Sequence, residues 1–441
     1  MMRTMLASML ACAAVCAQAQ LFSEEERASV MQYWGAPGRY RLGAPPESVR
    51  TGPFQVRLTV AGSQWLWNYN RARGLGKTPP GSVPPPQSER ETVWEAWIEA
   101  KVAHDRWLAG VGADRANADL GKKSQLAGAM PPAPGPIPAD LFDLAGNPPP
   151  FASVEAPLYH VTTFDDVEIA LADNVPMRPR YAYYRFEDGV MSGGQRVRDL
   201  PEDELKALCA DAGLSESEFR IFRAVSLLEG GFDSINTYDT GFVSVGLIQF
   251  ASLSEGGGSL GSVMVNLKFA DPDAFHRDFR RFGLDVTLDG KLVAMDPSTG
   301  AVSTGAEANK TIIRDKRLIA VFQRAGRVCR PFRVAQLRVA KTQYYPADDL
   351  VPIVAGNQVW QARIADIVKS EAGLATLMDR KVNTGKVDPF ATVLSGLVAS
   401  KQIRSVAELA NYEAEIVAAL KYRKDYTADP LLSKPSGARQ R

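Results

Sequence analysis

Three proline-rich runs constrain this chain more than any other feature: PPGSVPPP at 79–86, PPAPGPIP at 131–138 and PPP at 148–150. Proline fixes φ and carries no amide donor, so none of these runs passes through a helix interior or a central strand. They read as linkers or surface connections, all within the first 150 of 441 residues. A chain of that length exceeds the roughly 100–200 residues of one domain and predicts either one elaborated domain or two. With 45% hydrophobic and 23% charged residues the composition is that of a globular protein, which excludes a disordered or fibrous chain. A net charge of +1 supplies no global field toward nucleic acid or an anionic surface, and no nucleic-acid partner is expected.

The first residues carry Arg3, an apolar run over 6–15 and the small-residue pattern Ala17-Gln18-Ala19. This predicts a secretory signal peptide over 1–19, and a periplasmic or secreted protein. The apolar run falls far short of the roughly 20 residues that span a bilayer, so no transmembrane segment is expected after cleavage. Lipid attachment through Cys12 fits poorly, because Met9-Leu10-Ala11 precedes it. Cleavage leaves Cys209 and Cys329, either as one disulfide or as two buried thiols. His104, His160 and His276 are scattered and lack cysteine neighbours at ligand spacing, so neither a metal nor a cofactor is expected.

Ser23 and Glu26 have the capping-box form and predict a short helix to Trp34, ended by Gly35 and Pro37. The alternation over 54–60 reads as a half-buried strand, and Ser88 with Glu91 opens a helix to about Leu108. Residues 157–188 are β-rich, the text is mainly helical from Pro201, and 285–308 reads as one β-hairpin or long loop. The division implied is an α+β region over 20–150, a small β-rich segment over 151–200, a helical domain over 201–425 and a disordered tail over 426–441. Trp34, Trp65, Trp67, Trp94, Trp97 and Trp107 fall in the first quarter, as core or as a sugar-stacking surface. Trp94 and Trp97 share a helix face with Ile98 and Val102, which favours core.

A third capping box, Ser215 and Glu218, begins an amphipathic helix carrying Phe219, Ile221, Phe222, Val225 and Leu228, which ends at Glu229-Gly230-Gly231. A carboxylate closing an apolar helix is partly desolvated, which raises its pKa, and the glycines admit substrate. Ten residues on lies Asp239, among turn residues and before the alternating FVSVGLIQF, which predicts a β-hairpin folding Asp239 back toward Glu229. Glycoside hydrolysis commonly uses such a pair, one carboxyl as acid and one carboxylate to activate water. Asp233 is a lesser candidate for the second role. The stretch 310–341 holds ten basic residues and one acidic, read either as a solvated helix face or as a surface for phosphate or carboxylate groups.

The string LLEGGFDSINTYDTGFVSVGLIQF (227–250) resembles the active-site helix and hairpin of the lysozyme-like superfamily. The Glu-Gly-Gly start is similar to one class of N-acetylmuramidases, and Gly246-Leu247-Ile248-Gln249 to a segment of lytic transglycosylases. Val382-Asn383-Thr384-Gly385 resembles a segment of muramidases and chitosanases. The resemblance implies a mainly α (α+β) fold, a lysozyme-like helical catalytic domain with a small β-hairpin, preceded by an α+β N-terminal domain. It implies Glu229 as acid, Asp239 as second carboxylate, Ser244 as the hydroxyl holding the attacking water, and Tyr238, Gln249 and Asn383 as substrate-binding residues. The implied activity is cleavage of β-1,4 bonds in peptidoglycan or a related polysaccharide, with three rivals: a chitosanase-like hydrolase, a lytic transglycosylase, and a non-catalytic cell-wall binder.

Overall fold

A computed structural model describes residues 21–43, 54–75, 86–119, 129–155, 158–172, 188–226, 230–238 and 241–436. The predicted signal peptide lies outside them. Helix makes up about 53% of the structure and strand about 14%, a mixed α+β fold in which helix dominates. Among the described residues no helix is long and apolar enough to cross a membrane.

The larger core surrounds the helix Lys316–Val328, in which every residue from 318 to 326 is buried. A helix apolar on only one side would expose the other, so burial all round makes this the central element. The helices Glu202–Asp211, Glu216–Ser226, Gly258–Ala270, Arg330–Tyr344 and Glu371–Thr384 contribute to the same core. The N-terminal helix Glu24–Gly35 belongs to it too: Ser23 makes the full capping box, Trp34 is buried, and its indole donates to the Phe282 carbonyl at 3.0 Å. The following strand Tyr40–Gly43 pairs antiparallel with Tyr159–Thr163, which pairs in turn with Glu168–Ala172.

Arg280 fastens the N-terminal helix by donating to Glu26 at 2.6 and 2.9 Å, and that guanidinium holds the Glu26 carboxyl down at about 2. The folded value lies below the usual 4.5, so the stabilisation is complete above pH 4.5 and is lost as pH falls through about 2. Glu26→Gln is therefore expected to cost about 0.5–1 kcal/mol at pH 7 and distinctly less at pH 2, where the carboxyl is half protonated. Thermal melts of both proteins at the two pH values check this, and an equal loss at both would refute it.

The second, smaller core lies between the helices Val60–Ala72 and Glu89–Ala118 and the strand pair Gln55–Leu58 with Ala152–Glu155. The 89–118 helix runs ten residues past its expected end. Trp65 and Trp94 are buried here, with Trp67 and Trp97 packed against them. A proline-rich segment offers carbonyls but few donors, and the indoles supply the missing half. Trp97 donates to the Gly135 carbonyl at 2.9 Å and Trp65 to that of Gly146 at 3.1 Å. The tryptophans thus fill a core and hold the 129–151 connection against it.

These cores divide the chain differently from the expected serial boundaries at 150 and 200. Residues 21–43 join the large core, and Ala152–Glu155 joins the small one, because strand pairing links segments distant in sequence. The 285–308 insertion is a three-stranded sheet, Leu284–Val286, Leu292–Met295 and Val302–Thr304. The expected disordered tail is packed as far as Ser436: Tyr426 and Leu432 are buried in the large core, and the Ser433 amide donates to Glu371 at 3.0 Å. Two apolar anchors in a polar stretch suffice to hold it. Cys209 and Cys329 are free and buried, and burial pushes both thiols up to about 12.

Candidate active site

The Ser215 capping box forms with both arms, at 2.7 and 3.2 Å, and starts the helix Glu216–Ser226. Phe219, Ile221, Phe222 and Val225 are buried, so the apolar face expected from the sequence anchors this helix in the large core. Glu229 lies outside the described residues, as do Leu227 and Leu228. The chain resumes at Gly230 in a tight turn. The Gly231 amide donates to the Gly193 carbonyl at 3.1 Å, and a Cβ on Gly231 would overlap the Gln195 carbonyl oxygen, so only glycine permits this approach.

The predicted hairpin is present. Ile235–Asn236 pairs antiparallel with Ser244–Val245, within a four-stranded sheet completed by Met191–Ser192 on one side and Phe250–Ala251 on the other. Asp239 belongs to the connection between the paired strands and lies outside the described residues. Ser244 is buried in its strand opposite Asn236. Gln249 returns toward the start of the turn, where its amide nitrogen donates to Ser234 Oγ at 2.6 Å and to the Gly246 carbonyl at 3.2 Å. The fold therefore brings Ser244, Gln249 and the chain beginning at Gly230 into one cluster.

Three other candidates sit elsewhere or serve otherwise. Tyr238 is only 2% exposed, its ring in the small core and its hydroxyl 3.3 Å from Met191 Sδ; it anchors the hairpin loop to the N-terminal part of the chain instead of lining a cleft. Asp233 is buried with both oxygens engaged, by the Gln195 amide at 2.7 Å and by Arg327 at 2.9 Å, so it is a fastening of the turn. Asn383 is exposed near the end of the helix Glu371–Thr384, where it donates to the Asp379 carbonyl at 2.7 Å.

Sequence reasoning missed what holds the cluster from behind. Gln336, fully buried on the helix Arg330–Tyr344, accepts from the Leu247 amide at 3.1 Å and donates to the Phe232 carbonyl at 2.9 Å. Its sequence signal is a lone uncharged polar residue on a stripe with Phe332, Ala335, Val339 and Ala340, where apolar residues are the rule. Phe242, Gln249 and Leu253 all have positive φ, at 62°, 56° and 58°, so backbone strain concentrates in the hairpin and its return. Residues held in the left-handed region cluster at functional sites, where surrounding contacts over-determine them.

Half of the basic residues in the stretch pair with carboxylates elsewhere in the chain, while Lys310, Arg314 and Arg330 remain exposed. Arg324 meets Asp166 and Asp278, Arg327 meets Asp233, Arg330 meets Asp211, Arg333 meets Glu204 and Lys341 meets Glu218. These pairs tie the two central helices to surrounding elements. Open clefts among the described residues include one of about 590 Å³ between Asn266, Phe269, Leu288 and Gln343 and one of about 290 Å³ between Tyr40, Asp296, Arg314 and Arg317. Among the described residues, no group of three or more His, Cys, Asp or Glu side chains is arranged to hold a metal ion. No family model, curated protein or solved structure matches this chain.

Proposed function

We propose that this protein is an exported, lysozyme-like glycosidase that cleaves the β-1,4 bonds of peptidoglycan. The observation that carries the reading is the layout of residues 216–251: an amphipathic helix, a fastened Gly-Gly turn and a two-stranded hairpin, bracketing positions 229 and 239. Glu229 acts as the acid that protonates the leaving oxygen, and Asp239 activates water on the opposite face of the sugar. Ser244 helps hold that water, and Gln249 ties Ser234 to the return turn at Gly246. The strained backbone at 242, 249 and 253 supports a functional role for the hairpin.

The test is to incubate the purified mature chain with peptidoglycan sacculi and to analyse released fragments by mass spectrometry. Muropeptides with reducing ends are the expected products. Anhydro ends would replace hydrolysis with a transglycosylase route, in which Asp239 has no water to activate. Intact sacculi together with cleaved chitosan would reassign the substrate. Binding without cleavage of either polymer would overturn the enzymatic reading.

A further inference from the structure

A buried amide side chain has two donors and an acceptor, and burial makes each unsatisfied group costly. Gln336 spends its groups on two backbone turns that are not adjacent in sequence. Its oxygen takes the Leu247 amide at 3.1 Å and its nitrogen gives to the Phe232 carbonyl at 2.9 Å. Phe232 stands three residues after Glu229, in the turn that leaves the helix. Leu247 stands three residues after Ser244, in the turn by which the hairpin reverses toward Phe250–Ala251. The two turns are also stitched directly, Gly246 N–H to the Ser234 carbonyl at 2.9 Å and Ser234 Oγ to the Gly246 carbonyl at 2.7 Å.

Gly246 completes the arrangement. It has φ +89°, and a Cβ there would overlap the Gln336 carboxamide oxygen, so the return turn is shaped to receive this side chain. The helix carrying Gln336 is itself fixed, with Phe332, Ala335, Leu337 and Val339 in the large core and Arg333 joined to Glu204 at 2.7 Å. A rigid helix thus grips both ends of the segment that spans positions 232–247.

We infer that Gln336 is a positioning residue: it locks the turn following Glu229 to the return turn of the hairpin, and so sets the spacing of the acid from the groups of the hairpin. The catalytic part of this inference rests on the glycosidase reading. The mechanical part does not. Misplacing a catalytic group by about 1 Å costs on the order of 100-fold in rate.

Gln336→Met keeps the volume and removes both bonds. It is expected to lower kcat on sacculi by about 10- to 100-fold per folded molecule, with KM changed less than about twofold. Amide hydrogen exchange should quicken in both 230–234 and 246–249. Glu413→Gln is the control: Glu413 is equally buried and accepts from the Lys369 and Ser370 amides in another part of the fold, so its loss should lower stability and leave kcat per folded molecule alone. A Gln336→Met enzyme with unchanged kcat, or one whose exchange quickens in only one turn, overturns the inference. If that variant does not fold, the wild type decides: the Leu247 amide should exchange only through global unfolding, and fast exchange there overturns the lock. A wild type that leaves sacculi intact refutes the glycosidase reading, while the exchange experiment still tests the coupling of the two turns.

Discussion

Glu229→Gln is expected to reduce release of fragments from sacculi by about 100- to 10,000-fold, the usual worth of a positioned general acid. The substitution keeps size and hydrogen-bonding capacity but has no proton to give at neutral pH. Binding of sacculi and the thermal midpoint should stay near wild type, because the helix Glu216–Ser226 is anchored by Phe219, Ile221, Phe222 and Val225 and the following turn by Gly231 and Asp233. Asp239→Asn divides the mechanisms. A loss of similar size with reducing-end products belongs to inversion, which needs a carboxylate on the far side of the bond at roughly 6.5–9.5 Å from the acid. Unchanged activity with anhydro ends belongs to a single-carboxylate route. Full activity in Glu229→Gln would remove Glu229 from the chemistry altogether.

The largest effect on stability is expected at Arg324. Its guanidinium is 5% exposed and makes three bonds, to Asp166 at 2.8 and 2.7 Å and to Asp278 at 2.9 Å, above the rings of Phe164 and Phe282. Asp278 is itself 2% exposed, and its other cation, Arg277, is largely in solvent. Arg324→Met leaves that carboxylate buried and under-compensated, and breaking a buried pair from one side costs about 3–5 kcal/mol. The polar ties lost are long-range ones, since Arg324 bonds the central helix both to Asp166, in the turn before Glu168–Ala172, and to Asp278, at the end of the helix Pro272–Asp278. Urea unfolding of Arg324→Met, Asp278→Asn and the double variant measures it. The double variant should be more stable than the sum of single losses allows, because removing both charges leaves no orphan. A single-variant loss under about 1 kcal/mol would mean that the pair contributes no more than one on the surface.

Local chemistry was legible wherever a few neighbouring residues decide the outcome. Ser23, Ser88 and Ser215 each open the helix expected of them, since an N-cap needs only a hydroxyl three residues from an amide. The hairpin at 235–245 was legible from turn residues followed by alternation. The helix Val60–Ala72 was not, because the strand pattern at 54–60 runs straight into it and the residue three after the Thr59 cap is Gly62, not Glu or Gln. The middle strand of the 284–304 sheet also hid the third, since one turn signal does not reveal how many strands share a sheet.

The site divides in the same way. Sequence alone pointed to the helix start at Ser215, the Gly-Gly turn and the hairpin that follows, because capping, glycine and turn signals are local, while the contacts that fasten the Gly-Gly turn come from Gly193, Gln195 and Arg327. It also determined that tryptophans at helical spacing would be core. Only the tertiary structure decided that five basic residues of 310–341 pair with carboxylates distant in sequence, that Asp233 fastens a turn, that Tyr238 sits in the smaller core and that Gln336 grips both ends of the hairpin segment. A side chain's partner across about 90 or more residues is set by where the whole chain packs, and residue type gives only the capacity for the bond.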